Sequence, residues 1–293
     1  MSATSPDAAP LPATPARRNS FVARATRSPA LMIGVILVAL CIVMAVFAPW
    51  LAPYDPDAQD VINKLAGSSS EHWLGTDSFG RDVLSRIIWG ARISLFVSFV
   101  STLAGVVIGT AIGVVSGYYG GWFDRFVMGA NDVLMSFPQI IMGIILVAVL
   151  GPSLFNIILA ITVTAIPGFV RIARGSTLAM KERDFVDACR ALGYSDARIM
   201  FAHVLPNIMD EVVVMASLWL ATAIRSETTL AFIGLGAPPP TATWGGIVRE
   251  GFENLLDSPM LPVWPSLAIL VVMVGLNLIG DGLRDATDPR APT

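Results

Sequence analysis

Six apolar stretches, each long enough to cross a bilayer, constrain the fold of this chain more than any other feature. They lie at about 30–52, 93–116, 126–150, 153–173, 208–234 and 262–282. A bilayer core needs roughly 20 apolar residues per helix, and backbone groups in lipid must be hydrogen-bonded internally. Charge is also scarce, since 14% of the residues are charged against about 25% in an ordinary soluble domain. The sequence therefore predicts an all-α, polytopic membrane protein with six transmembrane helices.

The distribution of lysine and arginine predicts how these helices are oriented. With both termini in the cytoplasm, thirteen of the 19 basic residues fall on the cytoplasmic side and five on the outer side. This bias follows the positive-inside rule. Residues 1–29, rich in Pro, Ala, Ser and Thr with four arginines, then predict a disordered cytoplasmic tail before an uncleaved first span at 30–52.

The rest of the chain divides at the predicted membrane boundaries. We expect an extracytoplasmic loop at 53–92, a five-helix core at 93–284 and a cytoplasmic C-terminal tail at 285–293. Within the loop, Val83 and Ile87 belong to one apolar face of the stretch 81–93, which predicts an interfacial helix lying against the membrane before the second span.

Several classes of function are excluded by what the sequence lacks. The net charge of -3 offers no basic field for nucleic acid. Neither of the two lysines follows a glycine, so the Gly-Lys-Ser/Thr phosphate loop is absent and any ATP chemistry must come from another chain. Cys41 and Cys189 are expected to be small buried side chains, and His72 and His203 lie on opposite sides of the predicted membrane. We therefore expect no metal site and no catalytic residue in this chain.

Two glycine and proline patterns inside the spans bear on helix packing. Gly105, Gly109 and Gly113 recur every four residues, which predicts a small-residue stripe for close contact with another helix. Pro138 and Pro167 predict kinks in the third and fourth spans.

The cytoplasmic segment 174–207, between the fourth and fifth spans, contains a predicted amphipathic helix. Phe185, Ala188, Cys189 and Leu192 follow the i, i+3, i+4, i+7 spacing of one helical face. Small side chains on such a helix allow another surface to approach closely. The residues alone support a protein-docking helix and a membrane-surface helix equally.

The ends of this cytoplasmic helix are also marked in the sequence. Asp184 is expected to cap its N-terminus, and Gly193 is expected to end it. A second short helix is expected over 196–203, stopped by Pro206.

The same segment carries a resemblance to a known family. Asp187-Ala-Cys-Arg-Ala-Leu-Gly193, followed by His203-Val-Leu-Pro-Asn207, resembles the EAA loop of bacterial ABC-importer permeases. Further segments are similar to the C-type permease of the dipeptide, oligopeptide and nickel importers: Gly75–Asp82, Gly117–Trp122, Glu227–Gly236, Trp244-Gly245, Gly280–Asp285 and Asp288-Pro289. The resemblance covers roughly residues 30–290. It departs from the family at Asp187, which replaces the usual Glu, and at Cys189, which replaces the second Ala.

This resemblance implies a type I ABC-importer permease fold whose cytoplasmic helix is a coupling helix that docks into a groove on the ATPase subunit. The residues it assigns to ATPase coupling are Asp184, Asp187, Ala188, Cys189, Arg190, Leu192, Gly193 and Pro206. It further implies a homologous B-type permease as heterodimer partner, two ATP-binding subunits that bind the ATP and magnesium, and an extracytoplasmic substrate-binding protein. The chain itself would hold no cofactor and would lie in the bacterial inner membrane.

The resemblance also implies a cargo of dipeptides or oligopeptides. Nickel or another small solute is the alternative within the same type of importer. An ATP-independent secondary transporter is a further alternative, but it predicts inverted repeats and a midplane ion site. The sequence shows neither, and such a transporter leaves the coupling loop unexplained.

Three charged residues inside the spans are candidates for the translocation path or for a contact between two permeases: Asp132, Arg225 and Glu227. A charge at a helix centre costs roughly 2.5–3.5 kcal/mol on insertion scales, so such residues should face the bundle or water. Arg225 and Glu227 are two residues apart, on different helix faces, and are not expected to pair with each other.

Overall fold

A computed structural model describes residues 28–287, so most of the predicted tails at 1–29 and 285–293 lies outside the described residues. The helices are α1 (Pro29–Val46), α2 (Ala48–Leu51), α3 (Val83–Tyr119), α4 (Gly121–Met135), α5 (Gln139–Leu150), α6 (Leu154–Lys181), α7 (Asp184–Ala191), α8 (Asp196–Arg198), α9 (Leu205–Leu230), α10 (Trp244–Glu253) and α11 (Val263–Thr287). Two π-helical segments, Ile199–Val204 and Ala231–Leu235, flank α9.

The membrane-spanning helices match the predicted fold class, with one span broken. Within residues 28–287, five helices are long and apolar enough to cross a bilayer: α1, α3, α6, α11 and the continuous helix Asp196–Leu235 that contains α9. The pair α4 and α5 supplies a sixth span if the two are counted together, but they meet at an angle of 89°. Pro138 lies at this break, as predicted, and α6 continues through Pro167.

The predicted glycine stripe lies in the most extensive helix contact of the described chain, that between α3 and α6. A Cβ atom added at Gly105 would lie 2.6 Å from the Cβ of Ala165, and one added at Gly109 would lie 2.7 Å from the Cβ of Phe169. One added at Gly113 would lie 2.6 Å from the carbonyl oxygen of Val170. The missing side chains therefore allow the two backbones to touch, which confirms the packing role predicted for the stripe.

The separate interfacial helix predicted over 81–93 is wrong, because this stretch is the beginning of α3. Asp82 caps the helix by accepting a hydrogen bond from the backbone N–H of Ser85 at 2.8 Å, and no proline or glycine pair interrupts the helix that follows. Val83 and Ile87 are buried inside the protein instead of facing lipid. The apolar face that suggested a membrane surface is therefore a packing surface.

Helix α10 is held against the beginning of α3. The indole N–H of Trp244 donates to the carbonyl oxygen of Ile87 at 3.0 Å, and its backbone N–H donates to the hydroxyl of Ser94 at 3.2 Å. Helix α3 has 37 residues and is about 55 Å long at 1.5 Å per residue. Its other end packs near α7, where Tyr118 and Cys189 share one apolar cluster. Helices α10 and α7 thus lie at opposite ends of the helical bundle.

Candidate functional site

Helix α7 is a short, well-delimited element at one end of the bundle. Arg183 is its N-cap and makes no side-chain capping bond, so the cap predicted at Asp184 is wrong. Asp184 and Asp187 instead lie in the first turn, where their charge stabilises the helix dipole. The helix ends where predicted, because Gly193 adopts a positive φ of 76°, a conformation that disfavours any other residue.

The buried face of α7 differs from the predicted one. Val186 and Cys189 are 0% and 8% exposed and pack into a cluster with α3, α6 and the π-helical segment before α9. Phe185 and Leu192 are 38% and 72% exposed, and Ala188 is exposed as well. Of the four predicted face residues, Cys189 alone points inward within the described chain. The others form a surface, Phe185–Ala188–Leu192, that we call the coupling face.

The helix predicted over 196–203 and stopped by Pro206 is also different in the structure. Asp196 begins a helix that runs unbroken through the π-helical turn Ile199–Val204 into α9 and on to Leu235. Pro206 lies in the first turn of α9. The π-helical turn directly before Pro206 accommodates a residue that has no backbone N–H, so the helix continues through the proline.

Polar contacts tie α7 and α8 to α3. The Tyr118 hydroxyl donates to the Asp196 carboxylate at 2.8 Å. The guanidinium of Arg190 lies 5.7 Å from the centre of the Tyr118 ring and donates to the Asp187 carboxylate at 2.9 Å. Asp187 and Arg190 thus form an exposed pair on α7, while Tyr118 connects α7 and α8 to the end of the longest helix.

A half-buried ion pair holds α3, α4 and α6 together just behind α7. The Asp124 carboxylate accepts from Arg174 Nη2 at 2.6 Å and from the Ser116 hydroxyl at 2.5 Å. Lys181 Nζ donates to the Gly117 carbonyl oxygen at 3.1 Å. These bonds connect the ends of α3, α4 and α6 that lie beside α7.

We expect Asp124→Asn to lower the free energy of unfolding by about 1–3 kcal/mol, since it leaves the partly buried Arg174 without its counter-charge. The matched control is Asp187→Asn in the exposed pair, where a change within about 0.5 kcal/mol is expected. Denaturation of both purified variants in detergent measures the difference. Equal effects at the two positions would show that the Asp124 pair is not a structural tie.

The three charged candidates of the spans are not brought together. Asp132 forms an exposed ion pair with Arg171 of α6 at 2.9 Å, and Arg225 is exposed and has no ion-pair partner within residues 28–287. Glu227 is 2% exposed and buried inside the chain. Its burial argues against the predicted contact of Glu227 with a second permease. The sequence did not single out Arg171, which forms this ion pair with Asp132 on the exposed side of α4 and α6.

A second polar cluster, missed by sequence reasoning, lies at the opposite end. Arg81 donates to Asp77 through Nε at 2.6 Å and to Glu250 of α10 through Nη2 at 3.1 Å. Arg86 lies beside both acids, with its Nε 3.2 Å from the Asp77 carboxylate. The resemblance of Gly75–Asp82 to the permease family was the one feature of the sequence that pointed to this cluster. Its partner Glu250 on α10 is about 170 residues away from Arg81 in sequence, so the sequence did not reveal the contact.

Comparison with known proteins identifies the family. Residues 109–292 match the model for "Binding-protein-dependent transport system inner membrane component", which is more than half of the chain. The chain belongs to this family. Residues 19–67 match "N-terminal TM domain of oligopeptide transport permease C". The permease GsiD, "Glutathione transport system permease protein", of Escherichia coli O6:K15:H31 and of Shigella boydii serotype 4 is 42% identical over 93% of this chain and 90% of its own length.

A solved structure supports the fold. One chain of the MetNI methionine ABC transporter in an inward-facing conformation superposes with a TM-score of 0.57 at 21% identity, covering 70% of this chain and 98% of that one. The chain is therefore a multi-pass inner-membrane permease subunit of an ABC importer, and ATP hydrolysis belongs to other subunits. Importers of this family generally combine permeases, ATPase subunits and a binding protein.

Proposed function

We propose that this permease carries short peptides, in the range from dipeptides to oligopeptides. The observation that carries the proposal is the 42% identity, over nearly the whole chain, to a permease named for glutathione, which is a tripeptide. The match of the first span to an oligopeptide permease model supports the same substrate class. Nickel is less suited, because residues 28–287 contain no group of three or more His, Cys, Asp or Glu that could hold a metal ion.

The partners we propose are a homologous B-type permease as heterodimer partner, two ATP-binding subunits and an extracytoplasmic binding protein. The coupling face of α7 supports an ATPase groove as its docking partner. A membrane-surface role, the alternative from sequence, suits the face less well, because Asp184 and Asp187 lie in the same exposed helix and acidic residues are repelled by anionic lipid. This assignment places α7, the N-terminus and the C-terminus in the cytoplasm, with ATP and magnesium bound by the partner subunits.

We further propose that the exposed sides of α4 and α6 line the translocation path. The ion pair of Asp132 with Arg171 is exposed on the predominantly apolar helices α4 and α6, and charges exposed beside lipid require water or a partner chain. Arg225 is a second exposed charge of this kind, on α9. A path with both signs of charge suits a cargo that carries an ammonium and a carboxylate.

Uptake by the reconstituted importer tests this function. The permease is purified with its native partner subunits, placed in liposomes with internal ATP and supplied with its binding protein and radiolabelled glutathione, trialanine or nickel. We expect ATP-dependent accumulation of at least one of the two peptides and no accumulation of nickel. Uptake of nickel without either peptide would overturn the proposed substrate class. Uptake of any solute without the ATPase subunits would overturn the whole assignment.

A further inference from the structure

The segment Gly117–Trp122 joins α3 to α4, and its glycines fix where α3 ends. A Cβ atom added at Gly117 would lie 2.9 Å from the Arg174 carbonyl oxygen, so the end of α3 touches the backbone of α6. Gly120 and Gly121 have φ angles of 66° and 64°, which other residues rarely adopt, and they form the sharp turn into α4. The glycines thus hold the two tyrosines between them at the end of the bundle that carries α7.

Tyr118, the first of these tyrosines, points into the protein and contacts two separate elements. It is 8% exposed and shares one apolar cluster with Val186 and Cys189 of α7. Its hydroxyl donates to the Asp196 carboxylate at 2.8 Å, and its ring lies 5.7 Å from the Arg190 guanidinium. One residue of α3 therefore contacts both α7 and the helix that begins at Asp196.

The link between α7 and the helix Asp196–Leu235 is short and contains a glycine. Four residues, Leu192–Ser195, separate the two elements, and one of them, Gly193, has a positive φ of 76°. Such a link does not by itself fix the angle between two helices. The hydrogen bond from Tyr118 to Asp196 is directional and weakens steeply when donor and acceptor move out of line, whereas the apolar contacts of α7 are non-directional. This hydrogen bond therefore responds most sharply to a displacement of α7.

We propose that Tyr118 is a positioning residue of the transport cycle, which transmits a displacement of α7 to α3 and to the helix Asp196–Leu235 through its hydrogen bond to Asp196. The proposal rests on the ATPase docking proposed above for the coupling face and adds the route by which that docking acts on the spans. At its other end α3 holds α10 through the hydrogen bonds of Trp244. A displacement received at Tyr118 thus reaches both ends of the bundle through contiguous contacts.

The amount of peptide transported per ATP hydrolysed tests this role. The importer is reconstituted with its binding protein in liposomes with internal ATP, and uptake of radiolabelled glutathione and trialanine is measured together with the release of inorganic phosphate. Tyr118→Phe removes the hydroxyl and keeps the ring in its apolar cluster. We expect peptide uptake per ATP to fall at least fivefold, while the ATPase subunits co-purify at the wild-type level. A loss of folded permease would lower uptake and hydrolysis together and leave this ratio unchanged.

Variants of the two bonded residues and of the neighbouring tyrosine provide the controls. Asp196→Ala removes the acceptor and is expected to lower the ratio as Tyr118→Phe does, whereas Asp196→Asn keeps an acceptor oxygen and is expected to lower it less than twofold. The double variant of Tyr118→Phe and Asp196→Ala is expected to match the single variants, because all three lack the same hydrogen bond. Tyr119 is 56% exposed, and its hydroxyl makes no hydrogen bond within residues 28–287. Tyr119→Phe is therefore the matched control, and its ratio is expected to equal that of the wild type.

An equal ratio in the wild type and in Tyr118→Phe would overturn the role of Tyr118, and so would an equal loss in Tyr118→Phe and Tyr119→Phe. A loss in Asp196→Asn as large as that in Asp196→Ala would overturn the hydrogen bond as the route. Uptake of neither peptide by the wild type would overturn the proposed cargo instead. The ratio is then measured with nickel, so that the test of Tyr118 does not depend on the cargo.

Discussion

Ala188→Arg is expected to abolish ATP-driven uptake while the permease still folds and inserts. Ala188 is exposed on the coupling face of α7 and contributes nothing to the buried cluster behind it. A long charged side chain there prevents another protein surface from approaching the helix. Each 1.4 kcal/mol of lost docking free energy weakens the contact about tenfold, so we expect uptake to fall by more than about tenfold.

The conservative variant Ala188→Ser is the control, because it keeps the size of the side chain and is expected to retain uptake. Two further measurements separate docking from folding: the amount of permease in the membrane and the amount of ATPase subunit that co-purifies with it. We expect the first to stay at the wild-type level and the second to fall in Ala188→Arg. Normal uptake and normal co-purification would remove the coupling face from the ATPase contact.

Gly113→Val is expected to cause the largest loss of stability of any single substitution considered. Its Cβ would lie 2.6 Å from the Val170 carbonyl oxygen and 2.8 Å from the Ala173 Cβ, and both atoms belong to the α6 backbone or its immediate side chains. The helices must therefore move apart along their main contact. Overpacking commonly costs about 1–3 kcal/mol, and we expect the upper end of this range because rigid backbone is displaced.

The matched control for this variant is Gly175→Val. Gly175 lies on α6, is exposed and has no atom within 4 Å of an added Cβ. Both substitutions replace a helical glycine by valine and share the same intrinsic change in helix propensity. The difference between their melting temperatures therefore measures the cost of the clash between α3 and α6. Thermal denaturation of the two variants in detergent measures it. Equal melting temperatures would contradict the close approach of α3 and α6.

Features that depend on local patterns were predicted correctly from the sequence. The all-α fold with apolar helices, the end of α7 at Gly193 and the role of the glycine stripe follow from bilayer thickness, backbone conformation and side-chain size. Each of these is a property of a short stretch of chain. The family resemblance rested on short ordered motifs in the same way, and the match to the binding-protein-dependent permease family confirms it.

Features that depend on what a helix packs against were predicted less well. The apolar face of the stretch 81–93 is the same for an interfacial helix as for the buried beginning of α3, and Trp244 of α10 decides between them. Helix α7 shows the same problem. Val186, and not Phe185, lies in the buried cluster because of where α3 and the π-helical turn lie. Periodicity identifies an amphipathic helix but does not say which neighbour covers it.

By itself, the sequence determined that this chain is a multi-span membrane protein without a Gly-Lys-Ser/Thr phosphate loop, and it located the segment that resembles a coupling helix. These conclusions follow from hydropathy, charge and motif spacing, which are read along the chain. The tertiary structure alone decided the exposed coupling face, the burial of Glu227 and the hydrogen bond of Tyr118 with Asp196. Each of these brings together residues that are distant in sequence, as Arg81 and Glu250 are, and such contacts depend on the packing of whole helices.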